Sequence, residues 1–136
     1  LAPSLAYLVP DSHNPTGFTM SAAERKRLGQ IISDTRTRTI VDESIADMWI
    51  DEAPPEPLAA SVPRNDLVLT IGSMSKSFWG GLRVGWIRAE RGTLATIAAI
   101  RPSVDLGTPI LEQLAAAKLL AMRGEVLPGD ADPARP

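Results

Sequence analysis

Leu67-Val-Leu-Thr-Ile71-Gly-Ser73-Met-Ser-Lys76-Ser-Phe-Trp-Gly-Gly-Leu-Arg83-Val-Gly-Trp86 decides the fold, because a short apolar run passes abruptly into hydroxyls, a lysine and a glycine pair. Leu67 to Ile71 reads as a buried strand, and Val84 to Ala89 as another after the turn. The segment between them spaces one amine, two hydroxyls and one guanidinium around a glycine turn. That set suits a phosphorylated aldehyde: an amine condenses with a carbonyl to an imine, Arg forks onto phosphate, and Ser hydroxyls complete the anion's coordination.

Working outward, Leu5 to Val9 is an apolar run ending in Pro10-Asp-Ser-His-Asn-Pro-Thr-Gly17, a strand followed by a long turn. Ser21 and Glu24 then form an S-x-x-E capping box, and Leu28, Ile31 and Ile32 continue an apolar stripe to about Thr35. Thr39-Ile-Val41 is a second strand, closed by Asp42. Pro54, Pro55, Pro57 and Pro63 forbid a continuous helix or central strand and predict a connecting loop over 51–63. Further helices are expected over Thr93 to Ile100 and Thr108 to about Met122, with Pro109 in the first turn of the second. The Gly- and Pro-rich stretch 123–136 is expected to be a disordered tail following a domain over 1–122. No internal repeat is evident.

Strands alternating with helices imply βαβ units, hence a three-layer α/β domain with a mostly parallel sheet. Ligands of such sheets collect beyond the carboxyl ends of the strands. Polar candidates follow three of those ends: Asn14 after the first, Asp42 at the second, and Ser73 to Lys76 after the third.

Length and composition narrow the classes. A chain of 136 residues fits one domain on the usual scale of roughly 100–200 residues per domain. The formal net charge of −2 leaves no electrostatic footprint for nucleic acid. Cysteine is absent, which excludes disulfides and thiolate metal sites and suits a cytoplasmic location; the single His13 argues against a multi-histidine metal site. No apolar run reaches the roughly 18 residues of a membrane span. The chain starts Leu-Ala-Pro without Met or a signal-peptide pattern and reads as the middle of something longer.

Asp42 at a strand end would be partly buried, where a carboxylate needs a cation or good donors; a pyridinium N–H is one such partner, a turn cap the plainer alternative. Lys76, placed after a buried strand with cationic neighbours, reads as a partly desolvated nucleophilic amine. Arg83 can return past Gly80 and Gly81 to the anion that Ser73 and Ser75 contact; the glycines supply a sharp turn or a close approach. Asn14 lies in a turn-forming Asn-Pro-Thr-Gly, whose Asn14-Pro15 bond is a cis candidate, and His13 reads as a turn residue. Trp49, Trp79 and Trp86 read as core or interface residues, and Glu24-Arg-Lys-Arg27 as a solvated helix face. Ser73-Met-Ser-Lys76 also fits the S-x-x-K of serine acyl-transferring enzymes, but S-D-N and K-T-G are absent, and there the serine opens a helix rather than following a strand.

From about Tyr7 to Met122 the chain resembles the large domain of fold-type I pyridoxal-phosphate (PLP) aminotransferases. Asn14-Pro-Thr-Gly17, Asp42-Glu, Ser73-x-Ser-Lys76 and Arg83-x-Gly85 carry that resemblance, in family order and spacing. The resemblance implies PLP held as an imine on Lys76, Asp42 on its pyridine nitrogen, Asn14 on its phenolic oxygen, and Ser73, Ser75 and Arg83 on its phosphate. One residue departs: the family's tyrosine three positions after the aspartate is Ile45 here, which cannot hydrogen bond. Ser-Lys-Ser-Phe-Trp-Gly-Gly-Leu-Arg-Val-Gly-Trp and Asp105-Leu-Gly-Thr-Pro-Ile-Leu-Glu-Gln-Leu114 are most similar to MocR-type regulators, in which a GntR-type winged helix precedes an aminotransferase-like sensor domain. The resemblance thus implies either a regulator's effector domain or part of an active aminotransferase, in a homodimer with a small amino compound or PLP as ligand.

Overall fold

In the computed structural model, residues 3–107 and 109–122 are described. Four strands, β1 (Leu5–Leu8), β2 (Arg38–Asp42), β3 (Val68–Ser73) and β4 (Gly85–Arg88), form one sheet in the order β1-β2-β3-β4. The first three are parallel, and β4 runs antiparallel to β3. This reversal has a simple cause. A parallel return needs a crossover of about a dozen residues or more, and Met74 to Val84 is occupied by two tight turns that fold straight back.

Helix α1 (Ala22–Thr35) makes the β1-to-β2 crossover and begins as its sequence predicts. The Ser21 hydroxyl accepts from Glu24 N–H at 3.3 Å, while Ser21 N–H donates to the Glu24 carboxylate at 2.8 Å. Ile32 of α1 packs with Val41, Val68, Leu58 and Val62, and Leu8 and Leu28 close the cluster. The proline-rich connection therefore does more than connect: its 3-10 turn at Leu58–Ser61 places Leu58 fully inside the core.

Side chains alternate across a strand, so Leu8, Val41 and Val68 share this covered face, and Tyr7, Ile40, Asp42, Ile71 and Ile87 share the other. That second face is open, with Leu5, Tyr7 and Ile87 all exposed. The second helical layer expected of a three-layer domain is not among the described residues.

After β3 comes α2 (Met74–Ser77), a single turn, and after β4 come α3 (Arg91–Ile100) and α4 (Ile110–Ala121). Ala116 of α4 packs with Met74 and Leu82, with Phe78, Val84 and Leu119 around them, so α4 seats on the β3–β4 hairpin. Pro109 caps α4 rather than entering its first turn; Thr108 and the expected tail over 123–136 lie outside the described residues.

Three sequence expectations change. Arg25 is not part of a solvated face: it is 1% exposed and paired with Asp11. Of the core and interface readings of Trp79 and Trp86, the core one does not hold: both are exposed, their rings lying against Gly81 and Gly72. Lys76 follows β3 on the single helical turn α2, where the sequence suggested a Ser/Gly-rich turn.

Candidate functional site

Asp42 ends β2 and pairs in register with Ile71, two residues before Ser73, so Asp42 and Ser73 point from the same open face at adjacent carboxyl ends. Ser44 N–H donates to Asp42 Oδ1 at 2.9 Å, and the Tyr7 hydroxyl donates to Oδ2. Burial alone would raise this carboxyl, but the hydrogen bonds from Ser44 and Tyr7 outweigh it and hold Asp42 below its ordinary 3.8. Tyr7 moves the other way, raised chiefly by that same bond. Asp42 is thus an ionised acceptor with lone pairs still open on each oxygen.

Ser73 closes β3 and caps α2, its Oγ accepting from Ser75 N–H at 3.2 Å. A serine opening a helical turn is what Ser-Lys acyl-transferring enzymes show, so that distinction drawn from sequence does not hold; the missing S-D-N and K-T-G still do. Ser77 Oγ ties α2 to Asp47 at 2.8 Å. Met74 N–H then bonds Val84 O at 2.9 Å, which returns the chain to its starting point and sets Arg83 beside the Ser73–Lys76 turn. Arg83 is left-handed, with φ 50°. Of the two glycines, Gly81 packs against the exposed Trp79 ring, which would have to shift to admit a Cβ placed 2.3 Å away, whereas Gly80 faces nothing within 4 Å. Lys76 is exposed, not partly desolvated as its sequence context suggested.

Asn14 lies, exposed, in the loop beyond β1. The loop is closed by Met20 N–H to Pro10 O at 2.8 Å and His13 N–H to Phe18 O at 2.9 Å, with Gly17 at φ 69° and a cis Asn14-Pro15 bond. His13 is a turn residue, its Nδ1 on Thr16 Oγ1 at 2.9 Å. Beneath the loop, Arg25 binds Asp11 and reaches Met20 O at 3.1 Å and Glu56 O at 3.4 Å. Glu43, next to Asp42, accepts from Leu58 N–H at 3.0 Å. The loops carrying Asn14 and Asp42 therefore share one buried polar foundation.

Tyr7 and Arg25 were missed by motif reading, yet both were within reach of periodicity. Tyr7 stands on the face of β1 that parallel pairing sets beside positions 40 and 42, and Arg25 falls on the α1 stripe with Leu28, Gly29 and Ile32. An apolar cavity of about 840 Å³ lies elsewhere, among Glu43, Trp49, Met74, Phe78, Trp86 and Leu120. It is lined by none of Asn14, Asp42, Ser73, Lys76 or Arg83. Among the described residues no group of three or more His, Cys, Asp or Glu could hold a metal, and no helix is long and apolar enough to cross a membrane.

The family model described as aminotransferase class I and II matches residues 8–125. An uncharacterized HTH-type transcriptional regulator of Bacillus subtilis, YisV, is 35% identical over 117 residues, covering 86% of this chain and 24% of the regulator. An archaeal alanine:glyoxylate aminotransferase superposes with TM-score 0.82 at 29% identity, over 93% of this chain and 31% of the enzyme. The α-aminoadipate aminotransferase LysN of Thermus thermophilus, solved with N-(5'-phosphopyridoxyl)-L-leucine, gives TM-score 0.78 at 31% identity, over 89% of this chain and 32% of the other. The chain spans about a quarter of the length of the curated relatives it matches.

Proposed function

Because this chain belongs to the aminotransferase class I and II family, we propose that its strand-end cluster holds pyridoxal 5'-phosphate, with Lys76 as the amine that bonds the aldehyde carbon. Asp42 takes the pyridine N–H, Asn14 the phenolic oxygen, and Ser73, Ser75 and Arg83 the phosphate. The donor set fits. Asp42 is ionised and keeps open lone pairs on the face where Ser73 stands, and the Met74–Val84 main-chain bond brings the Arg83 backbone back beside the hydroxyl-rich turn. That return of Arg83 to the Ser73–Lys76 turn is the observation that carries the reading.

When bound, the cofactor supplies an electron sink for the carbon next to an amino group. This chain's residues do the rest. Asp42 keeps a proton on the ring nitrogen, Arg83 and the two serines fix the phosphate end, and Lys76 is the group that gives or takes a proton beside the reacting carbon. Titrating the protein with PLP should produce a protein-bound visible absorbance that Lys76→Ala abolishes; an unchanged spectrum in that variant would defeat the reading.

For the whole protein, the effector-sensing part of a MocR-type regulator is the favoured role. Ile45 supports it, because a branched aliphatic side chain cannot offer the hydroxyl that the aminotransferase pattern carries at that position. The kinship to YisV of B. subtilis points the same way. The second reading, part of an active aminotransferase, draws on the likeness to LysN. In either case the unit is a cytoplasmic homodimer whose ligand is a small amino compound or PLP, and this acidic segment makes no nucleic-acid contact. Amino-group transfer to a keto acid by the full-length protein would favour the enzyme; binding of the amino compound without turnover favours the sensor.

A further inference from the structure

The geometry points to Tyr7 as a positioning residue of the cofactor site, acting through Asp42. This rests on the reading of Asp42 as partner of the ring nitrogen. Tyr7 pairs with Ile40 across the β1–β2 ladder, and Asp42 is two residues beyond Ile40, so both side chains rise from the same open face one step apart. The phenol donates to Oδ2 while Ser44 N–H donates to Oδ1. A carboxylate with a single donor can swing about its side-chain torsion; one donor on each oxygen fixes the plane in which the remaining lone pairs lie. The two bonds also keep the group ionised, the form that accepts an N–H.

A purely structural role predicts something different. β1 is already tied to β2 by a four-residue parallel register, and Tyr7 is 56% exposed, so its hydroxyl adds little to strand pairing. Its oxygen matters because of what Asp42 must then bind. Phenylalanine at this position keeps the ring and removes one donor.

The test compares two probes on the full-length polypeptide carrying these residues: PLP, and the analogue in which the ring nitrogen is replaced by carbon. Tyr7→Phe should weaken PLP about tenfold, the scale of one hydrogen bond to a charged group, and leave the analogue's affinity unchanged. Equal weakening of both probes, or no weakening of PLP, overturns the inference. Asp42→Asn separates the two layers of the argument. If it leaves the preference for PLP over the analogue intact, the Asp42 reading fails; if it removes that preference while Tyr7→Phe does not alter it, only the role of Tyr7 fails. In the Asp42→Asn background Tyr7→Phe should have no further effect on PLP affinity, and a further loss there would contradict action through Asp42.

Discussion

Arg25 and Asp11 face each other in a buried ion pair, 1% and 2% exposed, that fastens helix α1 to the loop carrying Asn14. The guanidinium is almost fully used: Asp11 takes two of its nitrogens, and the Met20 and Glu56 carbonyls take further N–H groups. Removing one partner leaves a charge in the core with no water to receive it. Arg25→Met or Asp11→Asn alone should each cost about 3–5 kcal/mol of unfolding free energy in urea titration. A loss below about 1 kcal/mol would show that the pair is peripheral.

Gly29 reverses an ordinary expectation. In an exposed helix interior, glycine to alanine gains about 1 kcal/mol. Here a Cβ at position 29 would lie 2.1 Å from Ser61 O, a main-chain atom held in the 3-10 turn that carries Leu58 into the core. Gly29→Ala should therefore destabilise, by about 1–3 kcal/mol, and a higher melting temperature would refute the packing described between α1 and that turn.

Ser21 offers a smaller, cleaner measurement. Its hydroxyl and the Glu24 carboxylate satisfy one another's main-chain N–H at the exposed start of α1. Ser21→Ala should cost about 1 kcal/mol in chemical denaturation, with Ser21→Gly losing less.

Glu43 and Asp42 give the fold opposite pH dependences, though adjacent. Burial is the main cause that raises the Glu43 carboxyl above 4.5, with Asp11 adding to it and the Leu58 N–H, Arg25 and Arg88 opposing. The folded state then holds a proton the unfolded state has released, so stability falls as pH rises from 4.5 through the folded value. Asp42 is lowered, so its contribution is present above 3.8 and is lost as pH falls further. Glu43→Gln keeps an acceptor for Leu58 N–H and removes the first effect. Its urea midpoint should exceed the parent's by a margin that grows with pH above 4.5; a margin independent of pH would contradict the assignment.

Much of the fold was legible because its signals are local. The Leu67–Ile71 run, the Ser21–Glu24 box and the prolines from 54 to 63 each fix their own conformation, and the structure places strand, helix start and connection accordingly. The Asn14, Asp42 and Ser73–Lys76 positions followed from one rule, that strand carboxyl ends gather in space. What escaped was set by packing between distant segments. Arg25 falls on the α1 stripe, but its place in a charged run masks that until its buried pairing with Asp11 is seen. Exposure of Lys76, Trp79 and Trp86 is a property of tertiary packing that no spacing within this chain encodes. Tyr7 needed the β1–β2 register before its hydroxyl could be assigned to Asp42.

Lys76 is the residue proposed to carry the cofactor. Incubating the full-length polypeptide with PLP, reducing with borohydride and mapping the phosphopyridoxyl group by peptide mass spectrometry tests it directly. The label should reside on Lys76, with none on Lys26 or Lys118, and should vanish in Lys76→Ala. A label on another lysine that persists at full yield in Lys76→Ala would contradict the account.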